Sequence, residues 1–405
     1  MNATPGMLDA VILGGGVAGL WTLRRLLAEG RSAVLLTTAD LGAGQTVASQ
    51  GIIHGGIKYA LGGAATAASR AIAGMPDRWR ACLAGRPGPL DPDLSGAAVL
   101  AREQHLWTTP GLVSRVAAAA ASKAIRTPVQ RLDAGERPGA FERAPAGVDV
   151  YRVAEPVLDA ASLVRALAGP AMDRIGRVAS VESIERIGVE TVRTGVRLHD
   201  GRAAVLSSRA VVLCAGSGNG PLAGLAGARA SDLMQTRPLH MALARGAELA
   251  PLFGHCLGAS TTPRLTVTSW ADAAGRVVWY LGGALAERGV GLDAAAQRAA
   301  ARAELNACVP WAVRGGVELA TLRIDRAEGL RADGSRPDEP VVTPLVDGRV
   351  LAAWPTKLAL APLLAERVSA ALPAGAGDGG AAPPALQRPG VAPLPFDAPG
   401  LEWAP

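Results

Sequence analysis

The sequence predicts an α/β protein with a nucleotide-binding domain that is assembled from separate segments of the chain. Three observations predict this fold class. A strand, a glycine-rich turn and a helix follow one another over residues 9–27, a second strand meets another glycine-rich turn at 210–220, and strand-like alternation occurs in the segments between. With 405 residues, the chain is long enough for two domains.

The first element is an apolar strand over residues 10–13 that runs directly into three glycines. Gly14, Gly16 and Gly19 have the G-x-G-x-x-G spacing of a dinucleotide-binding turn. The first glycine allows the sharp turn, the second lets the backbone approach a pyrophosphate, and the third lets helix and strand pack closely. Because a strand precedes these glycines and a helix follows, the pattern predicts a nucleotide-binding β-α-β unit.

The helix after the turn begins at Val17, so Val17 and Ala18 belong to its first turn. The amide groups and the dipole of such a helix N-terminus attract phosphate. The apolar helical pattern continues to Leu27, and a second strand over 33–36 completes the unit.

The end of the second strand departs from the usual pattern. A carboxylate that binds the ribose is expected there, but Thr37 and Thr38 occupy the place. Two alternatives follow: a threonine hydroxyl contacts the ribose, or Asp40 reaches back to it.

The segment 42–63, GAGQTVASQGIIHGGIKYALGG, is rich in glycine and small polar residues, which suits a loop lying close to a flat ligand. It also carries three residues with reactive or charged side chains, namely His54, Lys58 and Tyr59. The residues of this loop that we expect at the ligand are Thr46, Ser49, Gln50 and Gly51.

The middle of the chain alternates between predicted helices, strands and loops. We first predict a helix within 64–85, with Trp79 buried, and a linker at 86–95. Strands follow at 97–100 and 104–107, then an alanine-rich helix at 111–125 and a loop at 134–148. The next helix, at 160–167, is capped by Asp159. Strands then follow at 178–187, 189–198 and 210–213. The last of these ends in CAGSGNG, where Ala215 and Gly216 allow close approach of the backbone to a ligand.

The C-terminal half predicts further strands, two helices and a tail. Alternating stretches occupy 237–246 and 264–285, a helix 293–307, strands 318–326 and 349–354, and a helix about 358–372. The tail from residue 373 is rich in alanine, glycine and proline and is predicted to be mostly without structure, although Phe396 and Trp403 could dock.

Composition narrows the class of protein. Apolar residues make up 49% and charged residues 19%, which is typical of a globular chain. The net charge is +6, and all but three of the 41 basic residues are arginines, yet there is no basic block of five and aromatic residues are only 3%. We therefore expect anionic ligands and no nucleic-acid partner.

The four cysteines are widely spaced and suggest neither a metal site nor a disulfide framework. Reduced thiols in a cytoplasmic protein are the expected state. The N-terminus lacks the basic region of a signal peptide, and no run of 18 apolar residues indicates a transmembrane segment.

Three separated segments resemble flavoproteins of the D-amino-acid oxidase superfamily. Residues 11–20 resemble the FAD phosphate turn, 209–216 (RAVVLCAG) the strand and turn that close the nucleotide site, and 354–362 (WPTKLALAP) the last flavin-facing turn and helix. The segment SQGIIHGGIKY at 49–59 is similar to one in FAD-dependent glycerol-3-phosphate dehydrogenases and 2-hydroxyglutarate oxidases. The last turn departs from the family, because Trp354, Pro355 and Thr356 stand where glycines are usual.

The resemblance implies an FAD cofactor and a discontinuous, Rossmann-like FAD-binding domain of the GR2 type. We assign residues 1–75, 150–236 and 318–372 to this domain. A smaller antiparallel-sheet α+β domain for the substrate then comprises 76–149 and 237–317, and 373–405 form the tail.

The resemblance also implies roles for particular residues. His54 is expected to act as a base, with a structural histidine and a covalent flavin link as alternatives. Lys357, flanked by Thr356 and Leu358, is expected at the flavin. Lys58 is expected to bind an anionic group of the substrate or to pair with a nearby carboxylate. Arg323, followed by Arg326 and Arg237, is expected to bind the anionic group of the substrate. Tyr280 in WYLGG is expected to flank the substrate, with a core aromatic residue as the alternative. His105 and His240 are weaker candidates.

These observations predict an FAD-dependent oxidoreductase that takes a hydride from the CH–OH group of a small anionic substrate, such as a hydroxy acid or polyol phosphate. The electron acceptor is oxygen, a quinone or another carrier. Two alternatives stay open, namely CH–NH oxidation of an amino acid or N-alkyl amino acid, and a flavin-fold scaffold without activity. The second and third flavin-like segments argue against a plain NAD dehydrogenase.

Overall fold

Two eight-stranded sheets and one two-stranded ribbon organise the described part of the chain. The computed structural model describes residues 7–55, 72–109, 129–258, 260, 262–331, 333, 335, 337–375, 386–397 and 401–404. Three predictions lie outside these residues: the helix at 111–125, the site residue Lys58 and its neighbour Tyr59.

The predicted strands and helices that fall within the described residues are present, and the structure adds six strands and two short helices that were not predicted. The strands are β1 Leu8–Leu13, β2 Ala33–Thr37, β3 Val99–Ala101, β4 Gln104–Thr108, β5 Val129–Arg131, β6 Val150–Val153, β7 Val157–Leu158, β8 Ile175–Arg177, β9 Ser180–Ile187, β10 Thr191–Arg197, β11 Ala203–Leu213, β12 Met234–Arg245, β13 Gly254–Leu257, β14 Leu265–Ala271, β15 Val277–Gly282, β16 Glu318–Gly329, β17 Val341–Leu345 and β18 Val350–Trp354. The helices are α1 Val17–Ala28, α2 Met75–Leu83, α3 Ala160–Ala168, α4 Asn219–Leu225, α5 Ala284–Arg288, α6 Ala294–Cys308 and α7 Ala361–Ala371. Short 3₁₀ turns join several of them, including Leu358–Leu360 before α7.

The first sheet has the strand order β17-β18-β11-β1-β2-β8, with β9 and β10 continuing as an antiparallel extension from β11. Strand β1 lies in the middle and pairs in parallel with β2 and β11. All six of its residues are buried, as expected for a parallel strand covered on both faces. The carboxyl ends of β1, β2, β11 and β18 therefore meet at one edge of the sheet, where α/β proteins bind their ligands.

Helices pack on the first sheet as the local sequence predicts. Trp79 of α2 is fully buried, its ring centroid lies 4.7 Å from that of Trp21, and its Nε1 donates to the Ala359 carbonyl. Asp159 caps α3, because its carboxylate accepts a hydrogen bond of 2.6 Å from the Ser162 amide. The predicted buried tryptophan and helix cap are both confirmed.

The second sheet has the strand order β16-β12-β15-β14-β13-β4-β6-β5 and is antiparallel except between β13 and β4. Strand β16 pairs with β12 along its whole length, from Met234 opposite Gly329 to Arg245 opposite Glu318. The segment 318–372, predicted within the FAD-binding domain, is thus divided between the two sheets. Alternation identifies a strand, but it does not determine which sheet the strand joins.

The tail is more ordered than its composition predicts. Phe396 is buried against Trp270, with ring centroids 5.6 Å apart, and the Arg245 guanidinium lies 4.2 Å from the ring centroid of Trp403. The predicted docking of both aromatic residues is confirmed. The prediction of a mostly unstructured tail is wrong for 386–397 and 401–404, because contacts with both sheets fix them.

No helix among the residues described here combines the length and the apolar character that crossing a bilayer requires. The four cysteines are all buried free thiols.

Candidate active site

A cavity of about 1280 Å³ lies at the carboxyl ends of β1, β2, β11 and β18, and strands β12 and β16 of the second sheet form its opposite wall. It exceeds the usual ~300–1,000 Å³ of ligand pockets, so it has room for an extended dinucleotide. The predicted site residues that line it are Gly14, Gly16, Val17, Ala18, Thr37, Thr38, Thr46, Ser49, Gln50, Gly51, His54, Ala215, Gly216, Arg323, Thr356, Lys357 and Leu358.

The glycines of the first turn have the steric roles that their spacing predicts. Gly14 has φ +122°, and a Cβ there would lie 2.5 Å from the carbonyl carbon of Cys214. Gly19 does not line the cavity, but a Cβ on it would lie 2.0 Å from the Gly14 oxygen. Only glycine at both positions therefore lets α1 and β11 close on the turn.

The N-terminus of α1 lies at this cavity. Its N-cap, Gly16, makes no side-chain cap, and the Val17 amide donates to the Thr46 hydroxyl over 3.1 Å. Thr46 in the following loop is thereby held at the helix N-terminus. First-turn amides have no acceptor within their own helix, so this end attracts an anionic group.

The end of β2 offers two polar side chains to the cavity. The Thr37 hydroxyl donates to the Ala39 carbonyl over 2.9 Å, and the Asp40 carboxylate accepts a hydrogen bond of 2.8 Å from Arg177. Both Thr37 and Asp40 line the cavity, so the two predicted ways of holding a ribose remain open.

Two side chains that the sequence analysis missed join the second and third turns. Asn219 accepts from the Ala215 amide over 2.7 Å and donates to the Ala353 carbonyl. Trp354, noted only as a departure from glycine, donates from Nε1 to the Gly216 carbonyl over 3.2 Å. The signal for Asn219 was its place in CAGSGNG, directly after the strand end.

The last turn keeps a glycine-like backbone although it contains no glycine. Thr356 has φ +64°, in the left-handed region that favours glycine, and its hydroxyl donates to the Glu339 carbonyl over 2.9 Å. That bond offsets part of the backbone strain. The turn places Thr356 and Lys357 at the cavity, as the resemblance implied.

His54 lies beside a buried carboxyl group. Its Nδ1 is 3.7 Å from Glu155 Oε2, and its ring stacks on His255 with centroids 5.8 Å apart. Glu155 is fully buried and accepts a 2.5 Å hydrogen bond from the Gly55 amide. Burial raises the pKa of Glu155 to about 8, more than the Gly55 bond and the Arg80 charge lower it.

His255 was also missed by the sequence analysis. It lines the cavity, and its Nδ1 is 2.9 Å from the Thr266 hydroxyl. Glu155 and His255 carry no sequence signal, because each is a single residue about 100 or more positions from His54. The weaker candidates His105 and His240 are buried and do not line the cavity.

Of the two predicted substrate residues Arg323 and Tyr280, only Arg323 lines the cavity. Arg323 lines the cavity, and its guanidinium donates to the carbonyls of Val290 and Leu292 over 2.9 and 2.5 Å. Tyr280, which was predicted to flank the substrate, does not line the cavity. Its buried hydroxyl donates to the Ala48 carbonyl over 3.0 Å, and it supports the loop from behind.

The other charged groups at the second-sheet wall are Arg326, Asp325 and Glu287. Arg326 lies 4.0 Å from Glu287. Arg237, also a candidate, lies outside the cavity lining and pairs with buried Glu328 over 3.2 Å. Within the described ranges, no group of three potential ligands could hold a metal ion.

Comparison with known proteins identifies relatives over most of the chain. A family model described as DAO, FAD dependent oxidoreductase, matches residues 9–371. The chain is 46% identical over 369 residues, 90% of either protein, to the probable FAD-dependent oxidoreductase PA4991 of Pseudomonas aeruginosa. The crystal structure of PA4991 superposes with a TM-score of 0.81 at 40% identity, covering 98% of this chain and 99% of that one.

More distant structures share the fold. Glycine oxidase from Geobacillus kaustophilus has a TM-score of 0.60 at 17% identity, with coverage of 91% and 94%. L-alpha-glycerophosphate oxidase from Mycoplasma pneumoniae with FAD bound has a TM-score of 0.62 at 14% identity, with coverage of 96% and 99%. Because the two differ in substrate, the shared fold leaves the substrate of this chain open.

Proposed function

The chain belongs to the FAD-dependent oxidoreductases of the DAO family, and from this premise we propose that it oxidises the CH–OH group of a small anionic substrate such as a hydroxy acid or polyol phosphate. The single observation that carries the choice of an alcohol is the pairing of His54 with buried Glu155 at the cavity.

The described residues fit FAD. Glycine at position 14 lets the turn close against Cys214, and α1 presents its N-terminus to the cavity. The lining of the cavity includes both Thr37 at the end of β2 and Lys357 after β18. In this proposal the α1 N-terminus holds the pyrophosphate, and Thr37 or Asp40 holds the ribose. When bound, FAD supplies the hydride acceptor. Lys357 stabilises the negative charge that the acceptor gains.

The His54–Glu155 pair supports an alcohol over an amine. An alcohol must lose its O–H proton as the hydride leaves, so it needs a base, whereas the lone pair of a neutral amine drives hydride loss without one. His54 accepts that proton, and the Glu155 carboxyl group lies 3.7 Å from its Nδ1. Because burial raises the pKa of Glu155 to about 8, this group stabilises the cationic ring only when it is ionised. His255, stacked on His54, limits rotation of the ring.

Cationic side chains at the cavity support an anionic substrate. Three of them line it, namely Arg323, Arg326 and Lys357. The carboxylates of Asp325 and Glu287, also in the lining, offset part of this positive charge. We propose that Arg326 or Arg323 binds the carboxylate or phosphate. Lys58 keeps its predicted role at the same group.

The branch of the family, the cellular location and the electron acceptor are further parts of the proposal. The SQGIIHGGIKY segment supports a relationship with the glycerol-3-phosphate dehydrogenase and 2-hydroxyglutarate oxidase branch. The four buried free thiols support the expected cytoplasmic location. The electron acceptor is proposed only as oxygen, a quinone or another carrier.

The test is anaerobic reduction of the FAD-loaded protein, followed by flavin absorbance. We expect bleaching by a 2-hydroxy acid or polyol phosphate. Bleaching by an amino acid or N-alkyl glycine instead, with release of ammonia or amine, would overturn the alcohol assignment.

The base is tested by His54→Gln, with His199→Gln as the matched control because His199 is exposed and lies outside the cavity lining. We expect the first variant to bind FAD normally and to lose about 10²–10⁴-fold in reduction rate. The control should match the parent. Equal rates in all three proteins would contradict the role of His54.

A further inference from the structure

Residues 386–397, which we call the C-terminal strap, run along the cofactor cavity. Two backbone hydrogen bonds join the strap to Leu41: the Leu41 amide donates to the Gly390 carbonyl over 2.8 Å, and the Ala392 amide donates to the Leu41 carbonyl over 2.9 Å. Ala392 and the two prolines that follow, Pro393 and Pro395, line the cavity. The strap is therefore part of the cavity wall.

The residue that the strap holds is joined to the phosphate turn. Leu41 is fully buried, and a Cβ on Gly15 would lie 2.7 Å from its Cδ2 atom. The next amide, that of Gly42, donates to the Gly15 carbonyl over 2.8 Å. Fixing Leu41 thus fixes the loop that packs on the glycine turn.

A second connection runs through Arg177. Its backbone amide donates to the Gln387 carbonyl over 2.7 Å, while its guanidinium donates to Asp40 over 2.8 Å. Asp40 lines the cavity at the end of β2. Arg177 therefore connects the start of the strap to Asp40 at the polar end of the cavity.

The far end of the strap is anchored on the other sheet. Phe396 is 9% exposed and packs on Trp270 of β14, with ring centroids 5.6 Å apart. The strap therefore spans from β8 at the edge of the first sheet to β14 of the second. An irregular segment anchored at both ends and bonded in the middle restrains the loop beneath it.

We propose that the C-terminal strap belongs to the FAD site and slows cofactor release by holding the loop at residues 38–42 closed. The movement of that loop away from the cavity breaks the two backbone bonds to Leu41. The proposal rests on the cofactor of the family and is independent of the substrate.

The experiment measures the rate at which FAD leaves the purified protein, by the rise in flavin fluorescence on dilution. A chain without residues 386–405 should release FAD at least tenfold faster than the full chain. A chain without 398–405 is the matched control, because it keeps the bonds to Leu41 and the Phe396 contact, and it should release FAD at the parent rate.

A point variant covers the case in which the shortened chain does not fold. Ala392→Pro removes the amide that donates to Leu41. The matched control is Arg388→Ala, which changes an exposed side chain of the strap outside the cavity lining and keeps both bonds to Leu41. We expect faster release from the proline variant alone, with the far-UV circular dichroism of both unchanged. Parent-like release from folded Ala392→Pro and from a folded chain without 386–405 would overturn the proposal, whatever the substrate proves to be.

Discussion

Replacing Glu155 with glutamine should change how the stability of this protein depends on pH. The Glu155 side chain is fully buried, accepts a 2.5 Å hydrogen bond from the Gly55 amide and lies 3.7 Å from His54. Glutamine has the same shape and can accept the same bond, but it carries no charge. The variant therefore removes the titration and keeps the packing.

The size of the effect follows from the pKa. Burial raises the pKa of Glu155 from its ordinary 4.5 to about 8, so the folded protein holds this proton more tightly than the unfolded chain does. The contribution is fully present below pH 4.5, decreases as the pH rises, and is lost above about pH 8. At about 1.36 kcal/mol for each pKa unit, the loss is on the order of 5 kcal/mol.

The assay is chemical unfolding at pH 5 and at pH 8.5, for the parent, Glu155→Gln and the control Glu190→Gln, which changes an exposed carboxyl group. We expect the free energy of unfolding to decrease between these pH values in the parent and the control, and to decrease by several kcal/mol less in Glu155→Gln. An identical decrease in all three proteins would refute the reasoning, because Glu155 would then titrate alike in the folded and unfolded states.

Three further changes test other parts of the structure. Gly14→Ala should abolish FAD binding, measured as flavin content, and destabilise the fold by more than about 2 kcal/mol, because its Cβ would meet Cys214 at 2.5 Å. Tyr280→Phe should lower the free energy of unfolding by about 1–2 kcal/mol, because the hydrogen bond to the Ala48 carbonyl is lost. The anaerobic reduction rate should stay within about twofold of the parent rate. A decrease in that rate as large as the one expected of His54→Gln would contradict a purely supporting role for Tyr280. Asp159→Ala should cost about 1 kcal/mol in chemical unfolding, without change in FAD content, because α3 loses its cap.

The cofactor turn could be predicted from the sequence because its determinants are neighbours in the chain. The spacing of Gly14, Gly16 and Gly19, together with the apolar strand before it and the helical pattern after it, predicts β1, the turn and α1. The cap at Asp159 follows for the same reason, since a cap is a contact over three residues.

The full set of active-site residues could not be predicted from the sequence, because it is brought together by contacts between residues that are far apart in the chain. Glu155 and His255 come to His54 from 101 and 201 positions away, and only the pairing of β13 with β4 and β14 brings His255 to the cavity. Tyr280 illustrates the converse. The strand was correctly predicted, but the side chain points behind the loop, and strand alternation alone does not assign a face to the cofactor.

The sequence by itself therefore predicted many of the strands, most helices and the glycine turn of a dinucleotide site, all of which depend on short-range spacing, while the resemblance to a known family implied FAD. The tertiary structure alone decided that β16 joins the second sheet, that Glu155 stands behind His54, and that the Ala/Gly/Pro-rich tail closes on Leu41. The physical reason is that backbone hydrogen bonds and burial act between any two segments that the fold brings together. Composition predicts an irregular backbone for the tail, but it does not predict the partner that fixes it.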